Sequence, residues 1–399
     1  MKILLANKFY YPRGGDCIYM LELEKLLKKN GHEVAVFAMQ HPQTVETPFR
    51  RYFPKEVEFS LSNRKNVIDT FCRPLGDKEV TNLFLRLLDD FQPDVVHLSN
   101  IHTQLSPVIA RLSYEKGIPV VWTIHDLKLL CPRYDCLRNG KTICESCFSD
   151  KKNVLKYRCM KNSLPASLLA YIEARKWNVE KLDKYVRWFI CPSNFMRQKM
   201  IQGGFSESKL VTVNNFLNEE KLVVADSVEK EDFYCYIGRL SHEKGIKTLV
   251  QAANTLPYKL KIIGDGVMYS EIKNDIHGNV ELAGYKTWTE IKTLIRQARF
   301  IVLPSEWYEN NPFSIIESLS LGTPVLGANI GGIPELIEEN INGILAESGN
   351  VNDLKQKIIY CWENFPSIID SKKIASDAKK HFSADEYYKK LISLYPKSI

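Results

Sequence analysis

Residues 300–328 read FIVLPSEWYENNPFSIIESLSLGTPVLGA, from Phe300 to Ala328. Residues 300–303 are a short apolar run, the length of a buried strand. Asn311 suits a helix N-cap and Pro312 the first helical position, where its missing N–H costs nothing. Residues 313–321 then form a mostly apolar helix, with Gly322 as a left-handed stop and Pro324 beyond it. A second apolar run, residues 324–328, completes a strand–helix–strand unit. Within this unit Glu309 lies in the loop before the helix, and Glu317 lies inside the helix. Backbone N–H groups around Pro312, Phe313 and Ser314 lack helical partners and carry a partial positive charge, which favours an anion such as phosphate. Carboxylates flanking a phosphate site suit a ligand with hydroxyls next to phosphates, as in a nucleotide sugar.

Working outward, the same alternation recurs in two series. The first has strand candidates at residues 2–7, 33–38, 94–98, 119–124 and 186–191. Its first strand leads through Gly14-Gly15 into a helix over residues 17–30, stopped by Gly31. The second has strands at 233–238, 259–263, 279–283, 300–303, 324–328 and 343–346. One of its helices opens with Thr287-Trp288-Thr289-Glu290, the spacing of a capping box. Short apolar strands alternating with helices indicate parallel sheets covered on both faces. The polar stretch 214–232 reads as the link. Two such units place ligands in a cleft outside the carboxyl ends of their strands.

At 399 residues the chain is long enough for two domains with real cores. No apolar run approaches the ~20 residues that span a bilayer, and the first six residues are too short for a signal sequence, so a cytoplasmic protein is expected. Residues 1–200 carry 32 Lys+Arg against 21 Asp+Glu, whereas residues 201–399 carry 22 against 26. A basic first half is either a solvated face or a surface for an anionic partner, a membrane or a phosphate-bearing acceptor. Nucleic acid is excluded, because no recognition motif accompanies the charge. Residues 163–188, with Leu164, Leu168, Leu169, Ile172 and Trp177, read as one amphipathic helix that packs on its own sheet or docks on a membrane.

Gly238-Arg239-Leu240-Ser241-His242-Glu243-Lys244-Gly245 links a strand to a helix, and its cations Arg239 and Lys244 can reach one diphosphate. Gly14-Gly15 lacks the full dinucleotide fingerprint. Gly264-Asp265-Gly266 ends another strand and is also readable as a tight turn. Of His97, His102 and His125, the last is the candidate for chemistry, since it stands at the carboxyl end of a strand. Cys131, Cys136, Cys144, Cys147 and Cys159 fall within 29 residues. Free buried thiols are the first reading, with a structural zinc held by this set as the alternative.

Together these pieces resemble the retaining glycosyltransferases of the fourth sequence family, along nearly the whole chain. Glu309 to Glu317 matches the E-x7-E motif, Arg239 and Lys244 the diphosphate pair, Gly14-Gly15 the glycine loop and His125-Asp126 the histidine segment. Cys191-Pro192-Ser193 and Val213-Asn214-Asn215 match its proline–serine turn and interdomain entry. The resemblance implies an α/β fold of the GT-B type: two facing Rossmann-like, doubly wound domains. Residues 1–212 form the first and 213–383 the second, and residues 384–399 return to the first through a helix over 384–394. It further implies a UDP- or GDP-sugar donor, a glycan or lipid-linked acceptor and no metal in catalysis. Glu309 then holds the sugar hydroxyls and Glu317 the ribose. Asn311, Pro312, Phe313 and Ser314 position sugar and phosphate, Arg239 and Lys244 stabilise the leaving diphosphate, and His125 touches the transferred sugar. Gly14, Gly15, Gly238 and Gly264 line the donor, with Gly284-Tyr285 at the base. A donor phosphate oxygen takes the acceptor's proton. The setting is synthesis of bacterial surface polysaccharide at the inner membrane face. The rival classes are a nucleotide-sugar epimerase and a non-catalytic subunit of the same fold. The five chemical residues Glu309, Glu317, Arg239, Lys244 and His125 favour transfer.

Overall fold

Strand-length apolar runs separated by helices build two parallel sheets, each buried on both faces. The computed structural model describes residues 1–59, 67–218 and 229–396, so residues 219–228 of the expected link lie outside it. The chain divides into two compact units. The first comprises Met1–Asn139, Cys144–Asn214 and the chain from Tyr387 on, and the second is chiefly Asn215–Glu386.

The first unit holds β1 (Lys2–Ala6), β2 (Glu33–Phe37), β3 (Val95–Leu98), β4 (Val120–Thr123), β5 (Trp188–Cys191) and β6 (Leu210–Thr212). They pair in the order β2-β1-β3-β4-β5-β6, all parallel. Strand order reverses between β1 and β3, so this sheet has its switch point there. Helix α1 (Gly15–Lys29) follows β1, with Gly14 as its N-cap. β6 was not expected from sequence. It has three residues, only one of them fully buried, too few to show a strand pattern.

The amphipathic helix expected over 163–188 is a correction. Ser163 caps one helix, α2 (Leu164–Lys176), and Asn178 caps another, α3 (Val179–Tyr185), by accepting the Lys181 N–H. The chain then enters β5. α2 buries Ser167, Ala170 and Glu173, while Leu164 and Leu168 stand 52% and 46% exposed. Its inward face is therefore small and polar, the reverse of the expected one.

The second unit holds β7 (Phe233–Ile237), β8 (Lys259–Ile263), β9 (Val280–Gly284), β10 (Ile301–Leu303), β11 (Val325–Ala328) and β12 (Gly343–Ala346). Their order is β9-β8-β7-β10-β11-β12, again parallel. Here the switch point falls between β7 and β10. Buried Tyr234, Tyr236, Ile262, Phe300, Val302, Ile315, Ile316 and Leu326 make the core. At about 1.5–3 kcal/mol per fully buried large apolar side chain, this core fixes the sheet. Thr287 and Glu290 form the expected capping box on α4 (Trp288–Gln297).

Helix α5 (Phe313–Ser320) differs from expectation at its start. Pro312 is its N-cap, with no side-chain cap, and Asn311 lies outside the helix. The Asn311 side chain is drawn away because its Oδ1 accepts the Asn215 N–H at 2.8 Å, while its carbonyl accepts from Asn215 Nδ2 at 2.8 Å. Gly322 ends the helix at φ +77°.

The last helix, α6 (Ala384–Leu394), belongs to the first unit from Tyr387 on, where tyrosines hold it. The Tyr387 hydroxyl bonds the Tyr19 hydroxyl, and Tyr388 bonds His32 Nε2 at 2.8 Å. Tyr395, just beyond the helix, meets His97 Nδ1 at 2.5 Å. Among the described residues no helix is long and apolar enough to cross a membrane.

Candidate functional site

In the second unit the loops after β7 and β10 meet at the switch point. The β10 loop is sewn to the β7 loop by Glu306 N–H donating to the Glu243 carbonyl at 2.9 Å. Gly245 lets them close. Its φ is +67°, and a Cβ there would lie 1.9 Å from the Pro304 oxygen, so any side chain is excluded by both torsion and space. Gly264 is under the same constraint, with φ +140° and a Cβ position 1.9 Å from the Gly238 oxygen.

This closure brings Lys244 Nζ to 2.5 Å from Glu309 Oε1. The same oxygen accepts from Ser305 Oγ at 2.8 Å and Trp307 Nε1 at 2.9 Å. Lys244 also lies 5.0 Å over the Trp307 ring. Glu309 is buried. Burial pushes its pKa up, but the Lys244 ammonium and the three hydrogen bonds outweigh that and hold it below the usual carboxylate range. Three donors converge on Oε1, and among the described residues no hydrogen bond reaches Oε2.

Arg239 is elsewhere in the loop. Its guanidinium donates to Glu243 Oε1 at 2.8 Å, and its side chain is 61% exposed. Ser241 Oγ donates to the same Glu243 oxygen at 2.7 Å. Burial raises the Glu243 pKa, and the Ser241 bond and the nearby cations bring it below its ordinary value. The structure thus joins Lys244 to Glu309 and ties Arg239 to a different carboxylate.

Phe313 and Ser314 open α5, where the first N–H groups have no intrahelical acceptor. Glu317 is half-buried within that helix, and Pro312, Phe313 and Ser314 are half-buried too. Among the described residues the buried Asn311 Nδ2 has no hydrogen-bond partner. At the end of β9, Gly284 takes φ +70° and Tyr285 is 82% exposed, a bare ring face beside a strand end.

In the first unit, Gly14 and Gly15 open α1 at the end of β1. A Cβ on Gly14 would meet only Asp16 Oδ1, at 3.5 Å, so the folded chain alone does not demand glycine there. His125 follows β4. Its ring packs edge-on against Tyr19 at 4.7 Å, and its buried Nε2 has no partner among the described residues. Burial pushes its pKa down to about 4, against a smaller opposing pull from Asp16. The ring is neutral at pH 7. His97 is structural: it bonds Tyr395 and, through Nε2 at 2.8 Å, Thr123. His102 stacks on Trp122 at 5.4 Å. Sequence reasoning named Asp126 only as part of the His125-Asp126 segment and missed Asp16 and Asn100, which lie near it. Asn7 and Asn100, the first residue past β1 and the second past β3, were the available signal.

The zinc expectation at Cys131, Cys136, Cys144, Cys147 and Cys159 is a correction. Among the described residues no group of three or more His, Cys, Asp or Glu is placed to hold a metal ion, and the five thiols are free. The Cys136 thiol bonds the Cys131 sulfur, which with two backbone N–H groups and against burial brings Cys131 down to about 7. Cys144 Sγ turns to Ser146 Oγ at 3.4 Å. Beyond the effect of burial, the thiols lie close enough to raise one another's pKa, as Cys131 and Cys144 do for Cys147 and Cys159.

Comparison with known proteins is consistent along the chain. A model described as Glycosyltransferase Family 4 matches residues 13–221, and one described as Glycosyl transferases group 1 matches 218–381. An uncharacterized glycosyltransferase, MJ1178 of Methanocaldococcus jannaschii, is 29% identical over 174 residues, 43% of this chain and 48% of the relative. The amylovoran biosynthesis glycosyltransferase AmsK of Erwinia amylovora is 28% identical over 179 residues, 41% of this chain and 44% of the relative. The chain therefore spans about half the length of these two curated relatives. In fold it is similar to HepE of Anabaena, solved in complex with UDP. The TM-score is 0.66 at 17% identity, covering 98% of this chain and 99% of that one.

Proposed function

Because the chain belongs to glycosyltransferase family 4, we propose that it moves a sugar from a nucleoside-diphosphate donor to a glycan or lipid-linked glycan, with retention at the anomeric carbon and without a metal. The observation that carries this reading is the buried Glu309 carboxylate, with Oε1 saturated by Lys244, Ser305 and Trp307. Fixing one oxygen that firmly leaves Oε2 to accept a sugar hydroxyl in a set orientation. Lys244 stands beside it as a cation for the departing diphosphate, and the exposed Arg239 supplies a second once it exchanges Glu243 for phosphate oxygens. Preorganised charge of this kind lowers the barrier by about 2.7–4 kcal/mol per donor.

The α5 start supports an anion through the Phe313 and Ser314 N–H groups, with Pro312 and Asn311 setting the loop and Glu317 reading the ribose. Gly238 and Gly264 keep side chains away from the phosphates, and Gly284-Tyr285 offers a ring for the base. In the first unit, His125 contacts the transferred sugar as a neutral hydrogen-bonding group, and Gly14-Gly15 leaves room for phosphate. The acceptor hydroxyl attacks on the face that the nucleotide leaves and passes its proton to a donor phosphate oxygen, so no protein base is required. The relative AmsK, named for amylovoran biosynthesis, supports a place in bacterial polysaccharide synthesis. The basic first half and the exposed Leu164 and Leu168 support contact with an anionic membrane surface, where a lipid-linked acceptor resides. The test is nucleotide release from a panel of UDP-, GDP- and ADP-sugars in EDTA. Release from one donor, abolished in Glu309→Ala, is expected. Release that survives that substitution overturns the role of Glu309.

A further inference from the structure

The five thiols between Cys131 and Cys159 take no part in the proposed transfer. Four of them, Cys131, Cys136, Cys147 and Cys159, are buried, and Lys151 lies among them. Burial lowers the Lys151 pKa, and the Cys147, Cys131 and Cys136 sulfurs around it pull the other way. Its ammonium is held in place by the Leu130 carbonyl and by the Leu129 carbonyl at 3.4 Å. Thiolate chemistry is favoured where a fixed cation stands among sulfurs.

Within this group one pair is in direct contact, the Cys136 thiol bonding the Cys131 sulfur. The turn that joins them is firmly set. The Cys131 N–H donates to the Leu127 carbonyl at 2.7 Å, and the Cys131 carbonyl accepts the Tyr134 N–H at 2.7 Å. The Leu127 N–H closes back onto the Tyr134 carbonyl at 3.2 Å. Tyr134 and Cys136 both take left-handed backbone, at φ +74° and +53°, a conformation such side chains adopt only when the surroundings impose it. Cys136 is then anchored on both sides. Asp135 Oδ1 accepts the Leu137 N–H at 3.0 Å, and the Cys136 carbonyl accepts the Cys144 N–H at 2.7 Å. Cys131 is 7% exposed and Cys136 fully buried, so solvent reaches the pair at Cys131.

The two sulfurs are unequal. The bond from Cys136, with backbone N–H groups and against burial, brings Cys131 down to about 7, while the same bond and burial raise Cys136. Burial, with neighbouring thiols adding, pushes Cys147 up to about 12 and raises Cys159. A closed zinc site needs four donors without their protons. Here one accessible sulfur ionises readily and its bonded neighbour keeps its proton, as an attacking and a resolving thiol do. We propose that Cys131 and Cys136 are a peroxide-reactive dithiol that closes into a disulfide. The Cys131 thiolate attacks one oxygen of hydrogen peroxide, the O–O bond breaks, and the departing hydroxide takes up a proton and leaves as water. Cys131 is thereby oxidised to a sulfenic acid. The Cys136 sulfur then attacks it, forming the S–S bond as the S–O bond breaks, and the Cys136 proton leaves with that hydroxide as a second water. Two thiols and one peroxide thus give one disulfide and two waters. This chemistry is independent of which sugar the protein moves.

The test exposes the full chain at pH 7 to limiting hydrogen peroxide and maps its cysteines by mass spectrometry without reduction. The native protein is expected to form one bridge, Cys131 to Cys136, at least tenfold faster than Cys147 or Cys159 is oxidised, and dithiothreitol reverses it. Cys136→Ser keeps a hydroxyl that donates to the Cys131 sulfur but removes the resolving thiol. In that variant the sulfenic acid persists on Cys131 and is trapped by dimedone, and in Cys131→Ser the fast reaction is lost. A first bridge or adduct at any other cysteine overturns the proposal, as does a Cys131 that reacts no faster than Cys147 or yields no dimedone adduct in Cys136→Ser. Stoichiometric zinc in protein purified without chelator, released as the thiols are oxidised, overturns it too, because the sulfurs are then metal ligands. If a serine variant fails to fold, the map of the native protein alone decides, since the order in which its cysteines react separates these outcomes.

Discussion

Replacing Lys244 with Ala removes the ammonium 2.5 Å from a buried carboxylate. Breaking one side of a buried ion pair costs roughly 3–5 kcal/mol. Glu309 keeps its bonds from Ser305 and Trp307, which lowers the cost below that range, to about 2–3 kcal/mol. In a domain of 150–250 residues each kcal/mol moves Tm by about 2–4 °C, so a fall of about 4–12 °C is expected at pH 7. The pH dependence is the sharper signature. In the native protein the Glu309 pKa lies below its unfolded value of 4.5. Its contribution is therefore full above pH 4.5 and lost as pH falls through the folded value. Without Lys244, burial is opposed only by the Ser305 and Trp307 bonds, and the folded pKa rises. The buried carboxylate then destabilises the neutral-pH protein, and acid relieves it. The gap between native and variant protein is thus widest near pH 7 and narrows as acid protonates Glu309. Urea unfolding from pH 7 to pH 4 reads this directly, and adding Glu309→Gln to the variant restores part of the loss. A gap of constant size across that range, or no recovery in the double variant, refutes the reasoning.

Arg239→Ala leaves stability within about 0.5 kcal/mol, because its ion pair is exposed, but weakens nucleotide binding roughly tenfold or more in calorimetry. Gly245→Ala meets both a left-handed backbone and the Pro304 carbonyl. It lowers stability by several kcal/mol, seen as a large Tm loss or insoluble expression. Leu164→Glu with Leu168→Glu reduces co-sedimentation with anionic vesicles at low salt while melting is unchanged, since both side chains are exposed. Equal sedimentation of native and variant protein removes that surface from the account.

The sheets were legible because each strand is a short apolar run buried on both faces, and helix stops such as Gly31 and Gly322 are glycines in left-handed conformation. Spacing also placed Lys244 and Glu309 in strand-to-helix loops of the same unit. It did not show that they would pair with each other while Arg239 turned to Glu243, because that depends on how the two loops close over Gly245. Asn311 looked like a cap, and only the tertiary bond to Asn215 draws it out of that role. The cysteines looked like a metal set because proximity in sequence says nothing of where the sulfurs point. Asp16, Asn100 and Asp126 share no motif. They meet only because β1 and β3 are neighbours at the point where strand order reverses.

The most direct test of the account follows the anomeric proton of the sugar as it first leaves an α-linked UDP-sugar, by NMR in the presence of EDTA. The account predicts an α-configured first product from the native protein and none from Glu309→Ala. A β-configured first product, or release by the variant at the native rate, contradicts it.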